Sequence, residues 1–269
     1  MVELICPVCR ARGTESPLRR EKNSLYCEKR HCFDVAKSGY ATLTAAPGTS
    51  GDDREMVRAR TAFLDSGAYR LFAEALTERL PPDGVIVDAG CGEGYYTNLF
   101  ALARPDARVY GFDLSKHACE HAAKRARASQ SGAFFGTASI FSLPVASSSC
   151  AAVVSVFAPI AEAEFARILR PGGLLIVGAA GKRHLIELKR AVYDEVYENA
   201  GRRDLPEGFE PVDGSELSYS FVCEGENIKR LFSMTPYAFR TSREDAAKLD
   251  SLTSLEITAD FDIFVYRKK

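Results

Sequence analysis

An apolar run that ends in glycines at alternate positions constrains this chain of 269 residues more than any other feature. Residues 85–94 read Val-Ile-Val-Asp-Ala-Gly-Cys-Gly-Glu-Gly, and a helical pattern begins at Tyr95. A buried strand that turns through glycines into a helix brings main chain, rather than side chains, against a bound ligand. The residues predicted to line such a cofactor site are Asp88, Gly90, Gly92 and Gly94.

Asp113 ends the next apolar run, where an acidic side chain can accept hydrogen bonds from ribose hydroxyl groups. A glycine-rich turn can also serve only for tight strand–helix packing, or for a nicotinamide cofactor. Glu93 favours S-adenosylmethionine, because a carboxylate at the helix mouth opposes a pyrophosphate but tolerates a sulfonium and an amino-acid group. Residues 169–174, Leu-Arg-Pro-Gly-Gly-Leu, are typical of the helix-to-strand turn in Rossmann-like methyltransferases.

Around this motif, apolar runs of strand length alternate with helical patterns. The predicted strands are 85–88, 108–112, 133–136, 151–156, 174–179, 255–259 and 261–266. The predicted helices lie in 95–103, 115–128, 161–169 and 185–198, and a loop rich in charge, Pro and Gly follows the last. This order predicts an α/β fold with a doubly wound, mostly parallel, seven-stranded sheet. Together with the cofactor turn, it predicts a Rossmann-like class I methyltransferase. The domain is expected to span residues 45–269, with a Pro/Gly-containing linker at 45–51 and linker helices within 52–80.

The first 44 residues hold four of the eight cysteines and few apolar residues that could build a core. Cys6-x2-Cys9 supplies two thiolates from one turn, and Cys27-x3-His31 supplies a third thiolate and an imidazole. Together they complete a tetrahedral shell with no position open for catalytic water, so residues 1–44 are predicted to form a small β module around structural Zn²⁺. Cys32 is an alternative fourth ligand, and free cysteines in a reduced hairpin are the other alternative.

The composition, 46% hydrophobic and 26% charged, is that of an ordinary globular protein. The net charge of -1 gives no general attraction to nucleic acid, although the first 40 residues hold eight Lys/Arg against five Asp/Glu. The chain starts without a signal-like segment and has no apolar run of membrane-spanning length. A cytoplasmic protein with neither a membrane nor a DNA partner is therefore expected.

With both motifs placed, the chain resembles the bacterial 23S ribosomal RNA guanine-N1 methyltransferases, a family that includes members giving resistance to tylosin-type macrolides. The resemblance covers nearly the whole chain in the order zinc ribbon, linker helix, methyltransferase core. The segments that match are 20–24 (Arg-Glu-Lys-Asn-Ser), 31–40 (His-x-Phe-Asp-Val-Ala-Lys-x-Gly-Tyr), 62–69 (Ala-Phe-Leu-Asp-Ser-Gly-x-Tyr), 90–96 (Gly-Cys-Gly-Glu-Gly-Tyr-Tyr) and 183–189 (Arg-His-Leu-x-Glu-Leu-Lys), where x marks a position outside the pattern.

The resemblance implies two ligand sets and an RNA partner. It implies that Zn²⁺ is held by Cys6, Cys9, Cys27 and His31. It implies that S-adenosylmethionine is contacted, or its pocket closed, by Tyr69, Gly94, Tyr95 and His184, and that the ribbon helps to grip a 23S rRNA hairpin. Without the resemblance, the residues favour Tyr69 as a core anchor of its helix, and His184 as a helix cap or the partner of a carboxylate; the matching segments reverse this preference.

The expected reaction is transfer of a methyl group from S-adenosylmethionine to N1 of a guanine. The N1 proton must leave or the charge must move onto O6, and positioning with desolvation can supply most of the rate. No catalytic base can be named from the sequence. The chain lacks an Asp/Asn-Pro-Pro-Tyr/Phe segment after the fourth predicted strand, which disfavours methylation of an exocyclic amine. Residues 157–160, Phe-Ala-Pro-Ile, instead offer an apolar wall for a flipped base.

Two other functions remain open at this level. One is a small-molecule methyltransferase in which the ribbon acts as a lid or dimer element. The other is a non-catalytic RNA-binding or assembly factor with a vestigial cofactor pocket. A homodimer, and a role in resistance as opposed to housekeeping, are also left open.

Overall fold

The computed structural model describes residues 3–44, 52–201, 205–235, 237–238 and 240–269, so the linker predicted at 45–51 lies outside the described residues. The helices in this part of the chain are α1 (Pro7–Arg10), α2 (Arg54–Leu64), α3 (Arg70–Glu78), α4 (Tyr95–Ala103), α5 (Lys116–Ser129), α6 (Glu162–Ile168), α7 (Ile186–Val192), α8 (Glu226–Ser233) and α9 (Arg243–Ala247), and a short 3-10 helix covers Lys248–Ser251. The strands are β1 (Arg19–Glu21), β2 (Ser24–Tyr26), β3 (Cys32–Asp34), β4 (Ala41–Thr42), β5 (Gly84–Ala89), β6 (Ala107–Asp113), β7 (Phe134–Thr137), β8 (Cys150–Val156), β9 (Leu169–Ala180), β10 (Phe209–Glu224) and β11 (Ser254–Lys268). Over these ranges, no helix is both long and apolar enough to cross a membrane.

The main sheet has the strand order β10-β11-β9-β8-β5-β6-β7-β4. The six strands from β9 to β4 in this order run parallel to their neighbours, whereas β11 and β10 are antiparallel. The chain winds outwards in both directions from β5 and β8, and in such sheets ligands bind beyond the carboxyl ends of the strands at this switch point. The predicted Rossmann-like class I architecture is confirmed.

The sheet nevertheless has eight strands where the sequence predicted seven. Two strands of this sheet, β4 and β10, were not predicted, whereas two of the predicted strands form one. Strand β4 pairs in parallel with β7 through Ala41 opposite Gly136 and Thr42 opposite Thr137. A strand of two residues is too short to show an alternating pattern, so sequence periodicity could not reveal it. Because β4 belongs to the N-terminal segment, that segment extends the sheet of the catalytic domain.

The C-terminal third also differs from expectation. The two predicted late strands form one continuous strand, β11, and the predicted charged loop contains the 16-residue strand β10, which pairs with β11 along its length. The helix predicted at 185–198 ends at Val192. Strand β10 was missed although its second half carries a strand signal, because Leu217, Tyr219, Phe221 and Cys223 lie on the more buried face and alternate with exposed residues. Only its first half, which contains Pro211 and Gly214 and is exposed over residues 210–214, lacks that alternation.

The N-terminal module consists of α1 and a three-stranded sheet, β1-β2-β3, and it is packed directly against the catalytic domain. Leu4, Leu18 and Leu25 are at most 1% exposed and belong to the same apolar cluster as Val87 and Phe165 of the main domain. The two parts of the chain therefore share a hydrophobic core.

Backbone and charged contacts reinforce this packing at the N-terminal end of the module. Leu4 forms a β-bridge with Val145, and the Ile5 N–H donates to the Pro144 carbonyl at 2.9 Å. The buried carboxylate of Glu3 pairs with Arg108 at 2.7 Å. The ribbon is thus held in one orientation relative to the sheet.

Candidate cofactor pocket and metal centre

The turn between β5 and α4 has the backbone that its glycines allow. Gly90, Gly92 and Gly94 have φ of 87°, 53° and 80°, in the left-handed region that favours glycine. A Cβ on Gly90 would lie 2.7 Å from Ala158 Cβ, and one on Gly94 would lie 2.6 Å from Ala122 Cβ. Two of the glycines are therefore required by close packing as well as by φ, and the turn presents main-chain atoms at the switch point of the sheet.

Asp113 lies beside this turn at the end of β6. Its Oδ2 accepts the Gly92 N–H at 3.0 Å and its Oδ1 accepts the Ser115 N–H at 2.7 Å. The carboxylate is half-buried and fixed in orientation, with acceptor capacity left for further donors. The structure therefore brings Asp113 to the glycine turn, as the sequence spacing predicted.

Asp88 is placed differently from the other predicted cofactor residues. Its side chain is 1% exposed and accepts a hydrogen bond from Thr97 Oγ1 of α4 at 2.5 Å. Burial raises the pKa of this carboxyl to about 7, and the Thr97 hydrogen bond opposes that rise. The side chain of Asp88 thus ties the strand to the helix below the turn.

The structure corrects the charge argument that the sequence analysis based on Glu93. This residue is not an exposed charge at the helix mouth. Its carboxylate is 2% exposed and lies 3.6 Å from Arg125 Nη2. Burial raises the pKa of Glu93 to about 7, although Arg125 and Arg60 oppose the rise. The side chain therefore belongs to a buried ionic cluster, and it says little about which cofactor the turn accepts.

Sequence patterns did not single out Arg60 of α2, which belongs to the same cluster. Its Nη1 lies 3.5 Å from the position of a Cβ on Gly92, and its guanidinium pairs with Asp52. Ser115 Oγ donates to the Asp52 carbonyl at 2.6 Å, so the start of the linker helix is fastened beside the glycine turn. The sequence signal for this segment is the Asp-Asp pair at 52–53, which is typical of a helix start. Asp53 is indeed the N-cap of α2.

Tyr69 and His184, 115 residues apart in sequence, form a hydrogen-bonded pair with 3.1 Å between Tyr69 Oη and His184 Nε2. His184 Nδ1 accepts the Asp260 N–H at 3.2 Å, and burial lowers the pKa of His184 to about 4. The imidazole is therefore neutral and carries its proton on Nε2, which donates to Tyr69. Tyr69 and His184 are only 1% and 6% exposed. They therefore close the base of the candidate cofactor pocket and do not face solvent.

Tyr95, the first residue of α4, completes the set of residues implied by resemblance. Its ring packs edge-on against Tyr96 at 5.1 Å between centroids, and the Arg125 guanidinium lies 5.9 Å from the ring centre. The turn, Asp113, Tyr95 and the Tyr69–His184 pair thus border the carboxyl ends of the central strands. A cradle of glycine backbone beside a fixed ribose-type carboxylate fits S-adenosylmethionine.

The four predicted metal ligands meet in the N-terminal module. The Sγ atoms of Cys6, Cys9 and Cys27 and the Nδ1 atom of His31 all lie within 4.8 Å of one another. His31 Nδ1 is 3.4, 3.4 and 3.3 Å from the three sulfurs, and the Cys9 and Cys27 sulfurs are 3.9 Å apart. Tetrahedral zinc with ordinary bond lengths separates its ligand atoms by roughly 3.5–3.8 Å, so this donor set fits Zn²⁺.

The geometry of the turn at Cys6 and the position of Cys32 bear on the ligand choice. The Cys9 N–H points at Cys6 Sγ at 3.4 Å, an interaction that stabilises a metal-bound thiolate. Cys32 is exposed, and its Sγ lies 3.9 Å from Asp34 Oδ1, outside the group of four. The structure therefore favours His31 over Cys32.

Comparison with known proteins agrees with both parts of this arrangement. Residues 4–45 match the zinc-ribbon family described as RlmA, N-terminal, and residues 86–173 match a methyltransferase domain. The chain is 34% identical over 262 residues to the 23S rRNA (guanine(748)-N(1))-methyltransferase of Streptomyces fradiae, covering 91% of this chain and 89% of that protein. It is 33% identical, with the same coverage, to a protein of Micromonospora griseorubida named for the same class of reaction. The solved structure of the [4+2]-cyclase SpnF, 17% identical, superposes over 75% of this chain and 82% of that one with a TM-score of 0.50, which shows the fold alone.

The fold and the glycine turn define an S-adenosylmethionine-dependent methyltransferase that carries an N-terminal zinc ribbon. Because the similarity to the Streptomyces fradiae enzyme extends through the ribbon, the linker helices and the catalytic core, the assignment can be made more narrowly. The chain belongs to the family of 23S rRNA guanine-N1 methyltransferases.

Proposed function

We propose that this chain transfers the methyl group of S-adenosylmethionine to N1 of a guanine in a 23S rRNA hairpin. The observation that supports this most directly is the match to the Streptomyces fradiae enzyme over 91% of the chain, ribbon included. A methyltransferase for small molecules has no evident need for a zinc ribbon that shares its core with the sheet. A ribbon fixed beside the cofactor turn suits a substrate large enough to touch both.

In this proposal the cofactor is held mainly by backbone. Gly90, Gly92 and Gly94 place main-chain groups against its amino-acid portion, and Asp113 accepts hydrogen bonds from its ribose hydroxyls. Tyr95 and the Tyr69–His184 pair close the pocket. Asp88 acts through its hydrogen bond to Thr97, which fixes the entry of the turn into α4.

The metal is proposed to be structural. Cys6, Cys9, Cys27 and His31 fill a tetrahedral shell, and Zn²⁺ bound there joins α1 to the β2–β3 hairpin. This fixes the basic edge of the ribbon, where strand β1 is exposed along its length. Phosphate contacts are proposed for Arg19, Arg20, Lys22 and Arg30.

The reaction requires the protein to position the two reactants and to exclude water from them. The cofactor supplies an activated methyl group, and guanine N1 must lose its proton as the new bond forms. The chain's part is to hold N1 in line with that methyl group and to exclude water from the reacting atoms. We assign no residue as the base.

The direct test is methyl transfer from labelled S-adenosylmethionine to unmodified 23S rRNA, with the site mapped by primer-extension arrest. The proposal predicts one methyl group per RNA at a single guanine N1.

The double variant Arg20→Ala/Lys22→Ala should weaken RNA binding and flatten its salt dependence without changing affinity for S-adenosylhomocysteine. The control variant Lys229→Ala, on α8, should change neither RNA binding nor affinity for S-adenosylhomocysteine. Methylation of small molecules but not RNA would favour the small-molecule alternative, and no cofactor binding would favour a non-catalytic factor.

Three further proposals depend on the same reaction. The site of action is the cytoplasm, where ribosomal RNA is found. The active species is a homodimer, which light scattering of the zinc-loaded protein would show. The methylation lowers the susceptibility of the host to tylosin-type macrolides. If a host that expresses the chain shows an unchanged minimum inhibitory concentration of tylosin, the methylation has a housekeeping role instead.

A further inference from the structure

Phe157, directly after β8, is the one aromatic residue in the described ranges that combines a largely exposed side chain with a left-handed backbone. Its side chain is 49% exposed, and its φ of 54° lies in the left-handed region. An exposed aromatic ring alone would need no explanation. A bulky residue in a left-handed conformation is strained, however, and such strain is found where the surrounding structure imposes it, often at functional sites.

Three contacts impose this conformation. The Phe157 N–H donates to the Gly178 carbonyl at 2.9 Å, which continues the pairing of β8 with β9. The hydroxyl of Ser155, which is fully buried, donates to the Ala158 carbonyl at 3.2 Å. Ala158 in turn packs on the glycine turn so closely that Gly90 cannot bear a Cβ. The strained residue is therefore fixed relative to the cofactor turn.

The ring is also supported from within the protein. Its centroid lies 5.7 Å from that of Phe72, 6.1 Å from that of Phe261 and 6.0 Å from that of the His184 ring. These neighbours are buried, whereas half of the Phe157 side chain is open to solvent. The result is a rigid aromatic surface at the carboxyl end of a central strand, next to the glycine turn of the proposed cofactor pocket.

We propose that Phe157 is the platform on which the target guanine stacks once it has left the RNA helix, so that N1 faces the cofactor. This rests on the proposed function, because it requires a purine base as the substrate. Enzymes that modify a base take it out of the helix and hold it by stacking and edge contacts. The contacts that hold Phe157 all come from within the chain, so its ring needs no further partner to keep its position.

The experiment compares variants of the full-length, zinc-loaded protein by two readouts, kcat/KM for methylation of unmodified 23S rRNA and affinity for S-adenosylhomocysteine. Phe157→Ala should lower kcat/KM about ten- to a hundredfold, the usual effect of losing an aromatic stacking partner. Its affinity for S-adenosylhomocysteine should change by less than about threefold. Phe157→Tyr keeps the aromatic face and should stay within about threefold of the unmodified chain in both readouts.

Two further variants control for stability and for the loss of apolar surface. Leu102 of α4 is 50% exposed at the opposite end of its helix from the glycine turn, so Leu102→Ala should leave both readouts unchanged. Phe157→Gly should unfold at a higher temperature than Phe157→Ala, because both lack the ring and only glycine adopts this φ without strain. The glycine variant also provides a folded test if the alanine variant is unstable.

The outcomes separate this inference from the proposed function. Unimpaired RNA methylation by Phe157→Ala or Phe157→Gly overturns the stacking role while the function stands. A parallel loss of S-adenosylhomocysteine affinity overturns it too, because the ring would then belong to the cofactor pocket. If the unmodified chain binds the cofactor but methylates no RNA, the proposed function fails and the platform fails with it.

Discussion

At the scale of single residues, Asp113 is the side chain on which cofactor affinity should depend most. Its two oxygens are oriented by the Gly92 and Ser115 N–H groups and retain capacity for ribose hydroxyls. Losing hydrogen bonds to a charged acceptor costs roughly 1.5–3 kcal/mol, so Asp113→Ala should weaken S-adenosylmethionine binding about ten- to a hundredfold. Calorimetric titration measures this. Asp106→Ala, at an exposed aspartate before the same strand, is the matched control and should bind normally.

His184 gives a prediction about pH. The folded protein keeps it neutral down to about pH 4, whereas the unfolded chain protonates it near its ordinary value of 6.5. Between these values the unfolded state binds more protons, so the free energy of unfolding falls as the pH falls. The shift corresponds to about 3 kcal/mol, which is present in full above pH 6.5. Urea unfolding measures this: between pH 7 and pH 5, the free energy of unfolding should fall more for the unmodified protein than for His184→Gln. An equal fall in both proteins would contradict a buried neutral imidazole.

At the scale of elements, the sequence predicts best where local pattern and tertiary environment agree. Helix α4 has its predicted bounds, and β5, β6 and β8 differ from prediction by one or two residues, because central parallel strands are buried on both faces and read as apolar runs. Strand β10 was missed although residues 217–223 alternate as a half-buried strand does, because this signal follows an exposed segment rich in charge, Pro and Gly.

The candidate site likewise contains residues that the sequence predicts and contacts that it does not. Glycines, cysteines and Asp113 are identified by spacing because each residue type has a narrow range of uses. The pairing of Tyr69 with His184 and the burial of Glu93 arise from contacts between distant segments, so sequence spacing could not show them. The strained backbone of Phe157 is likewise visible only in the structure.

The contact between α1 and α6 joins the ribbon to the catalytic domain and yields a stability prediction. Glu164 is 7% exposed and accepts from Arg10 at 2.6 Å, from Arg167 at 2.9 Å and from the Leu143 N–H at 2.6 Å. Removing one member of a buried pair leaves its partners uncompensated, so Glu164→Ala should lower the free energy of unfolding by about 3 kcal/mol. Chemical denaturation measures this. Glu74→Ala, which breaks the exposed pair with Arg70, should cost less than about 0.5 kcal/mol; equal effects would contradict the argument.

At the scale of the whole molecule, the ribbon and the catalytic domain should unfold together. They share an apolar cluster and the strand β4 belongs to the main sheet, so loss of the metal should not be confined to the first 44 residues. Cys27→Ser is expected to reduce zinc content and to lower the melting temperature of the whole protein by about 10 °C or more. Cys32→Ser, at an exposed cysteine outside the ligand group, should leave both unchanged. A separate, unaltered transition for the catalytic domain would show that the two parts are independent.

The central claim is that the ribbon and the cofactor pocket act together on guanine N1 of 23S rRNA. The most direct measurement is mass spectrometry of 23S rRNA from a bacterial strain that lacks its own guanine-N1 methyltransferase and expresses this chain. The account predicts N1-methylguanine at one position with the unmodified chain, and a smaller methylated fraction with Asp113→Ala or Cys27→Ser. Absence of N1-methylguanine when the folded, cofactor-binding protein is present in the cells would contradict it.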